Sequence, residues 1–234
     1  MMRRLARIAG TLMIVAGIGA LAWAVAVWQW QDPFTAVVNE LEQRGLEQDF
    51  ERSLTGRPGA ALAVSSDARE LRAQLASEAK AWRKQLGRGD AVARLRIPAL
   101  GVNEIIVNGT DTDTLKRGPG RYLKSAVPGE GELVYVAGHR TTYGAPFSRI
   151  DRLKKGDRVV VELPYATYEY RITGYRIVDD TELSVLRSKG FEQLALQACH
   201  PRFFATQRWI TYAEPVGVTP TGADSVTSLA ASLG

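Results

Sequence analysis

The chain opens with a long run of apolar positions that carries no charge. No charged residue occurs between Ile8 and Gln31, and three arginines precede the run. A helix rises about 1.5 Å per residue, so this run reaches roughly 36 Å, enough to cross a hydrocarbon core of about 30 Å. We therefore predict a transmembrane anchor over residues 8–31. Because basic residues mark the cytoplasmic flank, residues 1–7 are predicted to be cytoplasmic.

A cleaved signal peptide is the alternative interpretation of this segment. Small residues two apart, as in Ala20-Leu21-Ala22, match the pattern at which signal peptides are cut. The apolar part of a signal peptide usually has about 7–15 residues, and this run is longer. Its length favours an uncleaved single-pass anchor, with the rest of the chain outside the cell membrane.

Residues 32–90 form a second region, in which charged, Ala and Gln residues dominate and β-branched residues are few. The Gly56-Arg57-Pro58-Gly59 sequence divides it into two predicted helices. The second helix, about residues 67–86, carries apolar side chains at spacings of three and four: Leu71, Leu75, Ala79, Trp82 and Leu86. Such a stripe requires a partner, so this helical stalk or linker is expected to lie on a folded domain or to pair with a second copy.

From Ala91 onward, apolar and polar residues alternate in short runs separated by Gly, Pro and Asp, the pattern of β-strands. Seven or eight strands are predicted within residues 91–218, with connections too short for regular βαβ crossovers, which favours a closed β-barrel. The predicted strands are 92–97, 104–107, 133–137, 158–163, 168–172, 194–199 and 209–216, and the predicted short helices lie near 113–116, 146–150 and 185–189. Residues 219–234, rich in Thr, Ser, Ala and Gly, are predicted to be a disordered tail.

Composition narrows the chemistry that the chain can carry. It is 45% hydrophobic and 24% charged, as in ordinary globular proteins. One cysteine excludes a disulfide within the chain and a Cys-rich zinc or iron–sulfur site, and two histidines disfavour a His-dominated metal site. The net charge of +5 comes without long Lys or Arg runs, so nucleic-acid binding is not expected. No metal or other cofactor is predicted.

Three chemically useful side chains lie where predicted strands end or begin. Cys199 ends the apolar run 194–199, and Arg208 begins another alternating run nine residues later, so a hairpin would bring the guanidinium beside the thiol. His139 follows the apolar run 133–137. A thiol, an imidazole and a guanidinium at strand ends together indicate a cysteine-based active site.

His200 is the alternative base, because it follows Cys199 directly. Successive residues of a strand point to opposite faces of the sheet, so His200 is expected to face away from the thiol unless the strand breaks there. This argument favours His139 as the partner of Cys199.

Several segments resemble those of sortases, the membrane-anchored cysteine transpeptidases of Gram-positive bacteria. They are Ala137-Gly138-His139-Arg140-Thr141-Thr142-Tyr143-Gly144, Leu153-Lys154-Lys155-Gly156-Asp157, and Leu196-Gln197-Ala198-Cys199-His200-Pro201 through Arg208. The similarity runs from about Ala91 to Val218 and leaves the anchor, stalk and tail outside it. Within the family, the His139 and Cys199 segments are most similar to class E enzymes of actinobacteria.

The resemblance implies an eight-stranded sortase-type β-barrel with three catalytic residues: Cys199 as nucleophile, His139 as acid and base, and Arg208 as stabiliser of the oxyanion. Family enzymes use no nucleotide, and a metal site is not implied here. Sortases usually have Thr-Leu-x-Thr-Cys before the nucleophile, whereas this chain has Ala195-Leu196-Gln197-Ala198-Cys199, which makes Ala198 a candidate substrate contact. Tyr122 and Tyr143, on either side of the histidine in sequence, are the other candidate substrate-binding residues.

The activity that the resemblance implies is transpeptidation at the cell membrane. The enzyme would cleave a C-terminal sorting signal of Leu-Pro-x-Thr-Gly or Leu-Ala-x-Thr-Gly type in secreted proteins, between Thr and Gly, through a Cys199 thioester. An amine of a peptidoglycan precursor or crosslink peptide would then take the acyl group, which leaves the secreted protein attached to the cell wall. The catalytic domain would be extracellular.

Two other classes of function are open at the level of sequence. An extracellular cysteine protease or amidase would use the same Cys199 and His139 but release its product to water. A non-catalytic anchored binding module would have an unreactive thiol. Diversion of the acyl group to an amine, and the reactivity of Cys199, separate these classes from a transpeptidase.

Overall fold

A computed structural model describes residues 2–30, 33–56, 68–222 and 227–228. Its helices are α1 (Met2–Trp30), α2 (Pro33–Gly56), α3 (Ala68–Gln85) and α4 (Thr112–Arg117). Its strands are β1 (Ala91–Ile97), β2 (Val102–Asn108), β3 (Gly120–Arg121), β4 (Leu133–Ala137), β5 (Arg158–Glu162), β6 (Ala166–Asp179), β7 (Gln193–His200), β8 (Gln207–Pro220) and β9 (Thr227–Ser228). Short 3-10 helices occupy Pro98–Leu100, Ile150–Arg152 and Leu183–Leu186.

Eight strands close into a barrel, as predicted. Their order is β6-β5-β1-β2-β3-β4-β7-β8, and pairing of β6 with β8 joins the two ends. The ladders β2–β3 and β4–β7 are parallel, whereas the other ladders of the ring are antiparallel. The ninth strand, β9, adds to β8 outside the ring. Closure gives each of the eight strands of the ring two neighbours, which removes most of the unpaired backbone groups of an open sheet.

Alternation along each strand sends one set of side chains into the barrel. On β1, Leu95 and Ile97 are fully buried in the main core, whereas Arg94 points outward to Glu47 and Glu51 of α2. On β6, Tyr168 extends the same core across the barrel. A strand whose apolar and polar residues alternate fits a barrel wall, because one face contacts the core and the other does not. The alternation in the sequence therefore identified this strand correctly.

Some boundaries differ from the predicted ones. β6 and β8 each have 14 residues, longer than predicted, and their ladder contains irregularities between Glu169 and Tyr170 and between Ile172 and Gly174. Bulges of this kind bend long strands and increase their twist, so a strand can continue around the barrel wall. β3 has only two residues, too few to produce a visible alternation in sequence.

The short helices and the C-terminal segment are also shifted from their predicted positions. The helical turn expected near 146–150 begins at Ile150, and the one expected near 185–189 begins at Leu183. Residues 227–228, inside the segment predicted as disordered, pair with Val218 and Gly217 of β8. The rest of that prediction lies largely outside the described residues, as does Asp67, the first residue of the second predicted stalk helix.

Both helices of the predicted stalk region pack against the barrel. α3 buries its apolar stripe, including Leu71 and Trp82, in the same core cluster as the barrel strands, and the Trp82 indole donates to the carbonyl oxygen of Val92 at 3.0 Å. α2 buries Leu46 and Phe50 in a second cluster on β1 and β2. Burial of a large apolar side chain stabilises a fold by about 1.5–3 kcal/mol, so each helix is held by several such contributions.

α1 is the candidate membrane-spanning helix. Within its stretch Arg3–Val25, the most apolar 18-residue window has a mean hydropathy of 2.1, and none of that window is buried against the rest of the chain. It is therefore long and apolar enough to cross a bilayer. Signal sequences meet the same criteria of length and composition.

Candidate active site

Cys199 lies directly opposite Arg208 in the antiparallel ladder of β7 and β8. β7 ends one residue after Cys199 and β8 begins one residue before Arg208, so the pair is at one end of the barrel. Side chains of directly opposite residues lie on the same face of an antiparallel pair, with Cβ atoms about 4.5–5.5 Å apart. The hairpin proposed from the sequence therefore does place the guanidinium beside the thiol.

The thiol is on the outer face of the barrel wall. Leu196 and Ala198 of β7 point inward, where both are fully buried in the main core. Ala195 points outward and packs with Tyr135 and Ile210 in a separate cluster. By alternation Cys199 shares the outer face with Ala195, and it is partly exposed and free of any disulfide. A partly exposed thiol at a strand end is accessible to a substrate.

His139 reaches this face from the parallel neighbour of β7. The ladder of β4 and β7 runs to Ala137 opposite Gln197, and the Gly138 amide then donates to the Gln197 carbonyl oxygen at 2.9 Å. A Cβ on Gly138 would lie 2.6 Å from the Phe147 ring in the core, so this position faces inward and requires glycine. His139, the next residue, consequently faces outward at the level of Cys199.

The environment of His139 favours a neutral imidazole. Burial lowers the pKa of His139 below its usual value, because the charged form loses hydration. Its Nε2 is buried and has no hydrogen-bond partner within the part of the chain that the structure describes. The ring lies 5.1 Å from the ring of Tyr143, measured between centroids. A neutral imidazole with an unpaired nitrogen can accept a proton from a nearby thiol.

The Arg208 guanidinium is held by the loop between β7 and β8. Its Nη1 donates to the carbonyl oxygens of Ala205 at 2.6 Å and Gln207 at 2.9 Å, and its Nη2 lies 3.8 Å from the Asp180 carboxylate. Two backbone acceptors on one nitrogen fix the plane of the guanidinium. Such a planar fork presents its other donors in a defined direction.

His200 belongs to a different cluster of side chains. Its Nδ1 lies 2.9 Å from Nη1 of Arg140, and its ring centroid lies 5.7 Å from that of Trp209, which is part of the main core. Burial, together with the Arg140 charge, lowers the pKa of His200. The two histidines therefore contact different groups on the two sides of β7, as strand alternation predicts.

Arg140 is a site residue that the sequence analysis did not single out. The side chain is 5% exposed, and Nη1 donates to the carbonyl oxygen of Cys199 at 3.2 Å while Nη2 pairs with Asp151 at 3.0 Å. A buried charge with several partners of this kind is costly to expose or to break. It ties the segment after β4 to the backbone of the nucleophile, and its position next to His139 was the signal that could have identified it.

The candidate substrate residues fall on two sides of the wall. Tyr122 is on the outer face, where its ring packs edge-to-face against Tyr135 at 6.4 Å, and the Tyr135 hydroxyl donates to the Gln197 side chain. Tyr143 lies beside His139. Ala198, in contrast, is fully buried in the core and points away from the thiol, so the structure does not bring it to the same face.

The position of Ala198 also shows where the departure from the usual Thr-Leu-x-Thr-Cys sequence lies in the barrel. The hydroxyl that threonine would carry at position 198 would lie in the barrel core, because Ala198 is fully buried there. At position 195 it would lie in the cluster on the outer wall, where Ala195 itself is fully buried. Alanine at both positions removes buried hydroxyl groups and leaves the surface around Cys199 unchanged.

Among the described residues, no three His, Cys, Asp or Glu side chains come close enough to hold a metal ion. The candidate site has one thiol, one imidazole and one guanidinium, with tyrosine and glutamine side chains along the wall beside them.

The barrel domain of this chain is similar to known proteins. The Sortase domain family model matches residues 95–216. Sortase D of Bacillus subtilis is 36% identical over 133 residues, which cover 55% of this chain and 65% of that protein. Sortase SrtE1 of Streptomyces coelicolor is 32% identical over 148 residues, 56% of this chain and 42% of that protein. The chain thus spans less than two thirds of the length of these relatives.

Solved structures extend the comparison. The crystal structure of Sortase E1 from Streptomyces coelicolor with a tripeptide in the active site has a TM-score of 0.55 and 29% sequence identity, and the match covers 58% of this chain and 94% of that one. The closed barrel, the family match and these similarities agree with one another. The chain belongs to the sortase family, with class E sortases among its relatives.

Proposed function

We propose that this protein is a membrane-anchored cysteine transpeptidase that acts on C-terminal sorting signals of secreted proteins. The observation that carries the proposal is the register of β4, β7 and β8, which supports one face bearing Cys199, Arg208 and His139. The signal is of Leu-Pro-x-Thr-Gly or Leu-Ala-x-Thr-Gly type, and the bond cleaved is that between Thr and Gly. The acceptor is an amine of a peptidoglycan precursor or crosslink peptide.

The first chemical step requires a thiolate. A free thiol ionises mainly above neutral pH, so the nucleophile needs a base nearby. His139 fills this role because burial lowers its pKa and keeps it neutral, and because Nε2 is unpaired among the described residues. It takes the Cys199 proton, and the sulfur attacks the Thr carbonyl carbon. Collapse of the tetrahedral intermediate breaks the Thr–Gly bond, and His139 returns the proton to the departing Gly amine.

Arg208 stabilises the oxygen that becomes negative during this step. Its Nη1 is occupied by the carbonyl oxygens of Ala205 and Gln207, and its Nη2 lies 3.8 Å from the Asp180 carboxylate. We therefore assign the Nε donor, and the Nη2 donor that does not face Asp180, to the substrate oxygen. A donor fixed before the reaction does not need to reorganise when charge develops, which is the source of its catalytic effect.

The second half of the reaction returns the enzyme to its resting state. An incoming amine loses a proton to His139, attacks the thioester carbonyl and forms a new amide bond. The Cys199 sulfur leaves and recovers the proton from His139. The acyl group stays bound as a thioester, which is more reactive toward an amine than the original peptide bond, so the exchange of one amide for another requires no nucleotide.

The sorting signal is proposed to lie along the outer wall beside Cys199. Tyr122, packed on Tyr135, and the Gln197 side chain that accepts from the Tyr135 hydroxyl line this wall. Tyr122 is the residue that we assign to the second position of the signal, where Ala replaces Pro in class E substrates. Tyr143 borders the His139 end of the same surface.

The membrane location follows from α1. We propose that α1 is a single-pass anchor with residues 1–7 in the cytoplasm and the barrel outside. The arginines that precede the apolar stretch support this orientation, and the length of the stretch favours an anchor over a cleaved signal peptide. Secreted proteins that carry a sorting signal would then meet the enzyme at the outer surface of the membrane.

The experiment that tests the proposal uses the full chain in detergent with synthetic signal peptides that differ at the second position. A glycine-type amine is supplied as acceptor, and products are identified by mass. We expect an enzyme-bound acyl group and an amide product that contains the acceptor, and Cys199→Ala as the matched control should form neither. Release of the free acid alone would identify a protease or amidase, and an unreactive Cys199 would identify a binding module.

A further inference from the structure

Helix α2 docks on the barrel through a row of polar side chains rather than through apolar ones alone. Thr35, Asn39 and Gln43 recur every four residues, so they lie on one face of the helix. Gln43 shows how this face binds: its Nε2 donates to the carbonyl oxygens of Ile105 at 3.1 Å and Arg117 at 2.7 Å, and its Oε1 accepts from the Ile105 amide at 2.7 Å. The helix is therefore fastened to barrel backbone at a specific register.

Asn39 carries this contact to the loop that follows His139. The side chain is 4% exposed, and its Nδ2 donates to the Lys116 carbonyl oxygen at 3.2 Å. Its Oδ1 lies against Gly144, where a Cβ would come within 2.4 Å of it. Gly144 also has φ of +71°, a conformation that L side chains rarely adopt. Only glycine fits this approach of the loop to α2.

Thr35 makes a direct hydrogen bond to the same loop. Its Oγ1 accepts from the backbone amide of Tyr143 at 2.9 Å. Tyr143 and Ala145 have φ of +51° and +42°, so two non-glycine residues around Gly144 are in the left-handed region. Such a conformation is unfavourable for L residues and persists only where the surroundings stabilise it. The contacts with α2 supply that stabilisation.

The loop held in this way leads back to the imidazole. The Tyr143 ring lies 5.1 Å from the His139 ring, and the Phe147 amide donates to the His139 carbonyl oxygen at 3.1 Å. The chain of contacts thus runs from Thr35 to Tyr143 and from Tyr143 to His139.

We propose that Thr35 and Asn39 are positioning residues of the active site: they hold the loop of Tyr143 and Gly144 so that His139 keeps the orientation in which it serves Cys199. This inference rests on the proposed function. Thr35 follows the last residue of α1, Trp30, by five residues, which reach at most about 18 Å when fully extended. The helix that positions His139 is therefore tethered directly to the candidate membrane anchor.

The test compares Thr35→Val with Thr35→Ser in the full chain in detergent. Valine keeps the β-branched shape but has no oxygen to accept the Tyr143 amide, whereas serine keeps the hydroxyl. Misplacement of a catalytic group by about 1 Å can cost on the order of 100-fold in rate. We expect Thr35→Val to lower kcat by about 10- to 100-fold with KM changed less than about twofold, and Thr35→Ser to retain most of the activity.

A second readout follows the thiol without any substrate. Cys199 is the only cysteine of the chain, so the rate of alkylation by iodoacetamide reports on it alone. We expect the pH profile of alkylation in Thr35→Val to shift toward that of His139→Ala. Gly144→Ala, which disturbs the loop side of the same contact, should shift the profile in the same direction.

The control variant is Arg44→Ala, which removes an exposed ion pair with Glu40 on the same helix and touches no part of the loop. It should leave kcat and the alkylation profile unchanged. Wild-type values for both readouts in Thr35→Val and Gly144→Ala would overturn the proposal and leave α2 as packing alone. A different result would separate the two proposals. If the wild type transfers no acyl group, but His139→Ala and Thr35→Val shift the alkylation profile in the same direction, the positioning role holds and the proposed function fails.

Discussion

Cys199 and Arg208 are paired across β7 and β8, and this pairing depends on the register of the whole hairpin. A slip of one residue would move every side chain of the strand to the other face of the sheet. Arg208 would then face the core that now holds Trp209, and the residue beside the thiol would no longer be a cation. The loop of residues 201–206, which connects the two strands, therefore contributes to the site although it carries none of the three reactive groups.

Removal of the thiol should abolish the chemistry and leave the fold intact. Cys199→Ala is expected to eliminate turnover and the covalent acyl-enzyme, because we propose the sulfur as the nucleophile and because a partly exposed thiol contributes little packing. Intact-protein mass after incubation with a signal peptide measures the acyl-enzyme, and the melting temperature checks the fold. An active Cys199→Ala enzyme would contradict the assignment of the nucleophile.

The two histidines should differ strongly in their effect on catalysis. His139→Ala is expected to lower kcat/KM by at least about 10²–10⁴-fold, the usual contribution of general acid–base catalysis. His200→Ala should be much milder, because His200 contacts Arg140 and Trp209 rather than the thiol face. Steady-state kinetics of both variants provide the measurement. The opposite ranking would show that strand alternation fails at the end of β7.

Replacement of Arg208 by lysine should cost most of the activity although it keeps the charge. An ammonium group cannot reproduce a planar fork that binds Ala205 and Gln207 through one nitrogen and the substrate oxygen through others. Loss of one such donor typically costs about 10²–10³ in kcat. Kinetics of Arg208→Lys and Arg208→Ala, measured together, separate geometry from charge: a nearly wild-type lysine variant would show that charge alone suffices.

Glu104 should make the stability of the fold depend on pH. It lies on the inward side of β2, opposite Leu95, its Oε2 is buried without a hydrogen-bond partner among the described residues, and burial raises its pKa to about 7. When the pKa of a carboxyl is higher in the folded state than in the unfolded state, the free energy of unfolding falls as pH rises. For Glu104 this loss should begin near the unfolded pKa of 4.5 and continue through the folded pKa of about 7.

The matching variant is Glu104→Gln, which keeps the shape and cannot ionise. At pH 5 the melting temperature should be almost the same as in the wild type. At pH values above 7 the variant should melt several degrees higher, since each kcal/mol of unfolding free energy corresponds to about 2–4 °C in a chain of this size. The exposed Glu132→Gln serves as control for the loss of one negative charge. Equal effects of Glu104→Gln at pH 5 and pH 8 would contradict the prediction.

Local sequence patterns determined most of the elements of this protein. The uncharged run before Gln31, the stripe of Leu71, Leu75 and Ala79, and the alternation of β1 each reflect a periodicity that one segment shows by itself. Cys199 and Arg208 could be paired in advance because only six residues, 201–206, separate the two strands, and a hairpin of that length has few alternatives.

Tertiary structure alone decided how distant segments meet. The ladder of β4 and β7 brings the segment of His139 to the end of β7 that carries Cys199, although β5 and β6 lie between these two strands in the sequence. No local pattern encodes a partner about 60 residues away. The inward direction of Ala198 likewise depends on which face of β7 the closed barrel encloses. The contact of α2 with the His139 loop was invisible in the sequence, because Thr35 and Asn39 are polar residues that bind backbone groups, and their partners exist only once the barrel has folded.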